Sequence, residues 1–169
     1  MKTALILPFA LLLSACGLQP MYAGGGSGDV ARGLANIEVA PISGRAGWLV
    51  RNALTDNLSI AAQVGAAPRY RLDVRLDDNL EGFALLSDDT IGRERRTLRA
   101  RYQLVDLASD EIVLDATAGS DAGIDVMSSD YATIAAEQTA LENLAVDVAN
   151  RIVTNVALEL RSQSRAAEQ

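Results

Sequence analysis

Two stretches of this chain alternate apolar and charged residues with a period of two. In residues 69–77, Tyr70, Leu72, Val74 and Leu76 fall on one side, with Arg69, Arg71, Asp73, Arg75 and Asp77 on the other. In residues 95–106, Leu98, Ala100, Tyr102 and Leu104 oppose Arg95, Thr97, Arg99, Arg101 and Gln103. Period two is the side-chain repeat of a β-strand. A slip of one residue would turn the whole apolar set to water, so the pattern demands a sheet with one buried face and a second layer to cover it.

The cover is written in two segments of helical spacing. Val50, Ala53, Leu54, Asn57, Leu58 and Ala61 line one stripe of residues 46–62, and Gly65 and Pro68 end it. Leu141, Leu144, Ala145, Val148, Ile152, Val156 and Leu160 line another, which Ser128, Ser129 and Asp130 offer to cap. Residues 36–42 read as a first strand, with Ile37 and Val39 on one face and Pro41 marking an end or an edge. Residues 111–118 pair back after a turn at Ala108, Ser109 and Asp110, and 119–125 read as loop. Between Asp77-Asp78 and Asp88-Asp89, read as acidic turns, Phe83, Ala84, Leu85 and Leu86 extend a strand or form an apolar loop. The order is β-α-β-β-β-α. The expected class is α+β: a two-layer sandwich of a four-stranded mixed sheet with two helices on one face. Its other face is left polar and Arg-rich.

Composition narrows the chemistry. The 169 residues contain no histidine and one cysteine, and carry a net charge of −7. Without His there is no Ser-His-Asp or Cys-His nucleophile and no imidazole metal ligand. Lys2 is the only lysine among 15 basic residues, so Schiff-base chemistry and a P-loop lose their amine. Arginine is a poor general base, and nothing selects a working pair from the 22 acids. These absences argue against an enzyme. The acidic pairs Asp77-Asp78 and Asp88-Asp89 lack the spacing of a Ca²⁺ loop, and Asp121 to Asp125 is equally weak, so no metal is expected.

The N-terminus carries an address. Lys2 precedes an apolar run over residues 4–13, too short to span a bilayer but suited to a signal peptide. The run ends in Leu13-Ser14-Ala15-Cys16, which resembles the lipobox of bacterial lipoproteins. Cleavage before Cys16 and acylation of its thiol and new amine would anchor the chain stably, as a single acyl chain does not. The expected organisation is a signal peptide over 1–15, a lipidated N-terminus and flexible tether over 16–34, a folded domain over 35–161 and a polar tail over 162–169. Gly17 after the cysteine, where aspartate would favour inner-membrane retention, points to the outer membrane.

Eight arginines fall in two strands: Arg69, Arg71 and Arg75, then Arg93, Arg95, Arg96, Arg99 and Arg101. Rows of guanidinium groups on rigid strands can receive a polyanion. The candidate polyanion-binding residues are Arg69, Arg71, Arg75, Arg95, Arg99 and Arg101, with a phosphorylated lipid or an acidic partner protein as the fitting ligand. The opposing reading is a solvated face on which Asp73, Asp77 and Asp115 answer the arginines across strands. The net acidity disfavours nucleic acid. Arg96 falls on the inward side, at a sheet end. Trp48 reads as a packing anchor.

The stretches LSACGLQPMY, NIEVAPISGRAGWLVRNALTDNL, YRLDVRL, RRTLRARYQLVD and YATIAAEQTALENLAVDVANRIVTNVALEL, in this order, resemble the lipopolysaccharide-assembly lipoprotein family LptE in its alphaproteobacterial form. The resemblance implies an outer-membrane lipoprotein, with no cofactor beyond the acyl chains on Cys16 and no catalytic role. It implies a place inside the β-barrel protein LptD, as plug and assembly factor in contact with lipopolysaccharide. The alternative is an auxiliary lipoprotein of a lipid-transporting ABC or intermembrane system.

Overall fold

The computed structural model describes residues 29–59, 67–85 and 91–167. Helix α1 is Asp29–Ala35, strand β1 Ile37–Val39 and helix α2 Gly44–Ser59. Strands β2 (Tyr70–Leu85), β3 (Ile91–Asp106) and β4 (Glu111–Asp125) follow, and helix α3 (Asp130–Ala167) closes the fold. The sheet order is β1-β2-β3-β4, with β1 parallel to β2 and the other pairs antiparallel. The expected mixed four-stranded sheet with a helical layer on one face is therefore present, with one additional short helix.

Burial follows the alternation. Tyr70, Leu72 and Val74 of β2 and Leu98, Ala100, Tyr102 and Leu104 of β3 are buried against the helices. Val50, Leu54 and Leu58 of α2 meet them at i, i+4 spacing, and Leu141, Leu144, Val148, Ile152 and Val156 of α3 complete the core. The Tyr102 ring is fully buried, and its hydroxyl accepts a hydrogen bond from Asn155 Nδ2 at 2.9 Å. That bond ties the centre of β3 to α3, and burial pushes the phenol pKa up. Asn57 Nδ2 donates to Asn150 Oδ1 at 2.9 Å, joining the two long helices.

The helices cover unequal lengths of sheet. At about 1.5 Å per residue the 38 residues of α3 span roughly 57 Å. At about 3.3 Å per residue the 16-residue strands span roughly 53 Å, so α3 runs the full length of the sheet. The 16 residues of α2 reach only about half as far. Because β1 pairs at only three positions, the edge of β2 is open beyond Leu72, where Ala40 N–H makes the last bond.

Several boundaries differ from expectation. Residues 29–34, assigned to a tether, lie in α1, whose Ala31 and Leu34 are buried. Gly33 lets α1 lie against α3: a Cβ there would stand 2.9 Å from Leu160 Cδ1. The polar tail is helical through Ala167, continuing α3. Residues 119–125 are strand, paired to 93–99 of β3. Asp77 and Asp78 are not a turn but successive residues of β2, opposite Arg99 and Leu98, so they face opposite sides of the sheet. Trp48 is no anchor: it is 63% exposed on the outer side of α2. The signal segment, Cys16, the Gly-rich run and Asp88-Asp89 lie outside the described residues.

Candidate functional site: the outer sheet face

The polar face of the sheet is built from odd-numbered residues. Arg71, Asp73, Arg75 and Asp77 on β2 stand beside Arg95, Thr97, Arg99, Arg101 and Gln103 on β3, with Asp115, Thr117, Gly119, Asp121 and Gly123 on β4. Register decides which of the six nominated arginines meets an acid.

Four of them do. Arg101 grips Asp115 with two bonds, Nε to Oδ1 at 3.3 Å and Nη2 to Oδ2 at 3.1 Å, and Gln103 Nε2 adds a third at 2.9 Å. The bond from Arg101, then that from Gln103, lowers the Asp115 carboxyl pKa. Arg71 holds Asp73 of its own strand, Nη2 to Oδ2 at 3.0 Å. Arg69 donates to Asp106 at 3.3 Å and lies 5.0 Å over the Tyr70 ring. Arg95 approaches Asp121 at 3.9 Å and packs 5.2 Å from the centre of the Phe83 ring. Of the three acids expected to answer arginines across strands, Asp115 does so, whereas Asp73 is held by Arg71 of its own strand. Asp77 makes no ion pair among the described residues, although it stands opposite Arg99.

Arg75 and Arg99 are different. Neither has a hydrogen bond, ion pair or ring contact among the described residues, and both are exposed. Arg75 stands directly opposite Arg101, a like-charge pair. Arg99 stands opposite Gly119, where a Cβ would come within 3.3 Å of Arg99 Cγ, so the missing side chain leaves room for the guanidinium arm. A shallow cavity of about 540 Å³ lies over this spot, bordered by Arg75, Asp77, Arg99, Arg101, Gly119 and Asp121. A second, of about 740 Å³, adjoins it past Arg75 and Arg101 and reaches the β1–α2 connection at Pro41, Ile42 and Ser43. Together they form one groove across the sheet.

Arg96, on the other face, has a structural role. It pairs with Asp78 through Nε (2.8 Å) and Nη2 (2.7 Å), and its Nη1 donates to the Glu137 carbonyl of α3 at 3.1 Å. This inward position near the distal end of the sheet is the expected one. At that end Phe83 occupies an irregularity in the β2–β3 ladder, half exposed between Arg93 and Arg95. Of the two alternatives the sequence leaves for Phe83, strand or apolar loop, the structure has the strand, and its place beside two arginines is hidden from the sequence by a register shift. Among the described residues no helix is long and apolar enough to cross a membrane.

Comparison with known proteins fits this geometry. A lipoprotein of Caulobacter crescentus has a TM-score of 0.64 and 28% identity, over 80% of this chain and 98% of its own. Rare lipoprotein B of Shewanella oneidensis gives 0.56 and 11%, over 79% and 98%. A minor lipoprotein of Acinetobacter baumannii gives 0.55 and 12%, over 73% and 92%, and like the preceding one speaks for the fold alone. No curated protein matches the sequence. The family model described as LptE, lipopolysaccharide-assembly, matches residues 34–156, which is β1 through most of α3. With the sheet, the helical cover and this match in agreement, the chain belongs to the LptE family of lipopolysaccharide-assembly lipoproteins.

Proposed function

We propose that this lipoprotein is held at the periplasmic face of the outer membrane by acyl chains on Cys16. There it plugs and helps assemble the LptD β-barrel, and binds lipopolysaccharide on its way to the outer leaflet. The observation that carries the reading is the family match over residues 34–156. The outer sheet face supports it physically. A barrel lumen is polar, and a plug must meet it with polar surface without stranding charge. Here most of the guanidinium groups on that face already hold carboxylates, so the face is polar yet largely self-neutralised. Its role is non-catalytic: binding and shape.

The test is affinity capture of the tagged chain from solubilised outer membranes, with mass identification of the largest partner and palmitate labelling in the same cells. The expected result is a labelled protein in a stable complex with an outer-membrane barrel. Recovery with an inner-membrane transporter would instead select the auxiliary role in a lipid-transporting ABC or intermembrane system. A C16S variant that still fractionates with the outer membrane would remove the anchor from the argument.

A further inference from the structure

We infer that Arg75 and Arg99 form a clamp for a phosphate monoester in the groove over β2, β3 and β4, and that the other nominated arginines serve the fold. The inference rests on the lipopolysaccharide-handling reading above and assigns the chemical group and the residues that would meet it.

Three observations converge. First, the ligand-receiving capacity of the face is not evenly spread. Arg69, Arg71 and Arg101 already donate to Asp106, Asp73 and Asp115, and Arg95 lies 3.9 Å from Asp121 with its guanidinium over the Phe83 ring. Arg75 and Arg99 keep their donors unspent among the described residues. Second, the two are placed as a pair. Arg75 is opposite Arg101, and Arg99 is two residues before Arg101 on the same strand, so Arg75 and Arg99 are diagonal neighbours. Diagonal Cβ atoms lie about 7–8 Å apart, a span that two long side chains close around one tetrahedral anion. Third, the surroundings favour an anion at this spot over solvent alone. Arg75 stands opposite Arg101, whose charge is shared with Asp115, so an anion beside Arg75 would meet a second guanidinium group across the strand. Gly119 clears the floor on the β4 side, and the groove is open enough for the sugar that carries the phosphate.

The groove also sets a limit. Asp77 and Asp121 border it, so a weakly charged ligand gains little net attraction. A monoester carries about −1.5 to −2 at neutral pH and presents three acceptor oxygens. A phosphodiester has one charge and fewer free oxygens. The balance of two free guanidinium groups against these acids therefore selects monoesters, and charge-assisted bidentate bonds give the guanidinium fork its advantage over a point charge.

The experiment titrates the purified lipidated protein in detergent with bisphosphorylated lipid A. Phosphatase-treated lipid A, phosphatidylglycerol micelles and inorganic phosphate serve as the comparison probes. The wild type is expected to bind bisphosphorylated lipid A at least about tenfold more tightly than the dephosphorylated form or phosphatidylglycerol. R75Q/R99Q is expected to lose that discrimination while keeping the wild-type urea midpoint, since neither side chain has a partner to lose among the described residues. R101Q/D115N, which removes an internal pair at constant net charge, is expected to bind within about twofold of wild type. D77N is expected to tighten binding. If the wild type binds lipid A and R75Q/R99Q binds it equally well, the clamp is wrong and the lipopolysaccharide reading stands. If the wild type binds no form of lipid A, that reading fails as well. Equal affinity for phosphatidylglycerol overturns the monoester preference, and saturation by inorganic phosphate at matching affinity overturns the role of a glycolipid carrier.

Discussion

Replacing Gly47 by alanine tests how the groove is held. Gly47 is buried on the inner side of α2, one turn after the helix begins. A Cβ there would lie 2.6 Å from the Ile42 carbonyl oxygen and 2.7 Å from its carbonyl carbon. Both are backbone atoms, so no rotamer change relieves the overlap; α2 or the β1–α2 connection must shift by about half an ångström. Overpacking of this kind costs about 1–3 kcal/mol, and contact with backbone on this scale belongs at the upper end. Alanine returns about 1 kcal/mol through helix propensity. The net expectation for G47A is a loss of about 2 kcal/mol, or about 6–10 °C in Tm for a domain of this size. Gly44, three residues earlier, is the control. It has a φ of 81°, and a Cβ added there would meet no atom within 4 Å, so G44A carries only the left-handed backbone penalty, about 1–2 kcal/mol. Urea unfolding followed by circular dichroism reads both. Because Ile42 borders the groove beside Arg75 and Arg101, G47A should also weaken lipid A binding, whereas Gly44 borders neither cavity. A G47A variant as stable as wild type would refute the close approach of α2 to the connection.

Arg96→Met removes two bonds to Asp78 and one to the Glu137 carbonyl while leaving Asp78 without its partner; a loss of about 2–3 kcal/mol is expected, with faster hydrogen exchange in the first turns of α3. Tyr102→Phe keeps the buried ring and deletes the partner of Asn155, and should cost about 1–2 kcal/mol in urea unfolding. Asp106 has its carboxyl pKa lowered by the Ala108 N–H, then by Arg69, and Asp115 by Arg101 and Gln103. Stability linked to a lowered folded pKa is present above the unfolded carboxyl value and is lost as pH falls through the folded one. The wild-type urea midpoint should therefore drop below about pH 4 more steeply than that of D106N/D115N, and parallel curves would contradict the assignment.

How much of this was legible in the sequence depended on amplitude and on register. The core strands were readable because Tyr70 to Leu76 and Leu98 to Leu104 alternate large apolar with charged side chains, a signal that only one pairing face satisfies. The second half of β4 was not. From Ala116 to Gly123 its side chains are Ala, Thr, Gly, Ser and Asp, too small for alternation to show, and its strand state is imposed by pairing with Arg93 to Arg99. Helix α1 escaped for a related reason. Seven residues with a glycine cannot hold a helix alone, and packing of Leu34 and Gly33 on α3 stabilises it. Trp48 was misjudged because its size suggested burial, yet the buried stripe of α2 is set by Gly47, Val50, Leu54 and Leu58, which leaves position 48 facing water.

The arginines illustrate the limit of a pattern that names a face but not its pairs. Alternation put Arg71, Arg75, Arg95, Arg99 and Arg101 on one surface, and there the structure agrees. Whether each is free depends on what stands beside it across the sheet, which a single strand does not encode. Register puts Gln103, one residue pair beyond Arg101, opposite Asp115, and that acid reaches back diagonally to Arg101. The same register puts a glycine opposite Arg99 and an arginine opposite Arg75. With Arg96 on the inner face, the other seven arginines of the cluster resolve, among the described residues, into a mostly ion-paired set with two open donors. A fully unpaired row would make the face costly to enclose in a barrel, and a fully paired one would leave nothing for an anion to bind. The mixture is what the proposed role asks for: the paired arginines would lower the cost of enclosure, and the two left open would supply the proposed contact with a phosphorylated lipid.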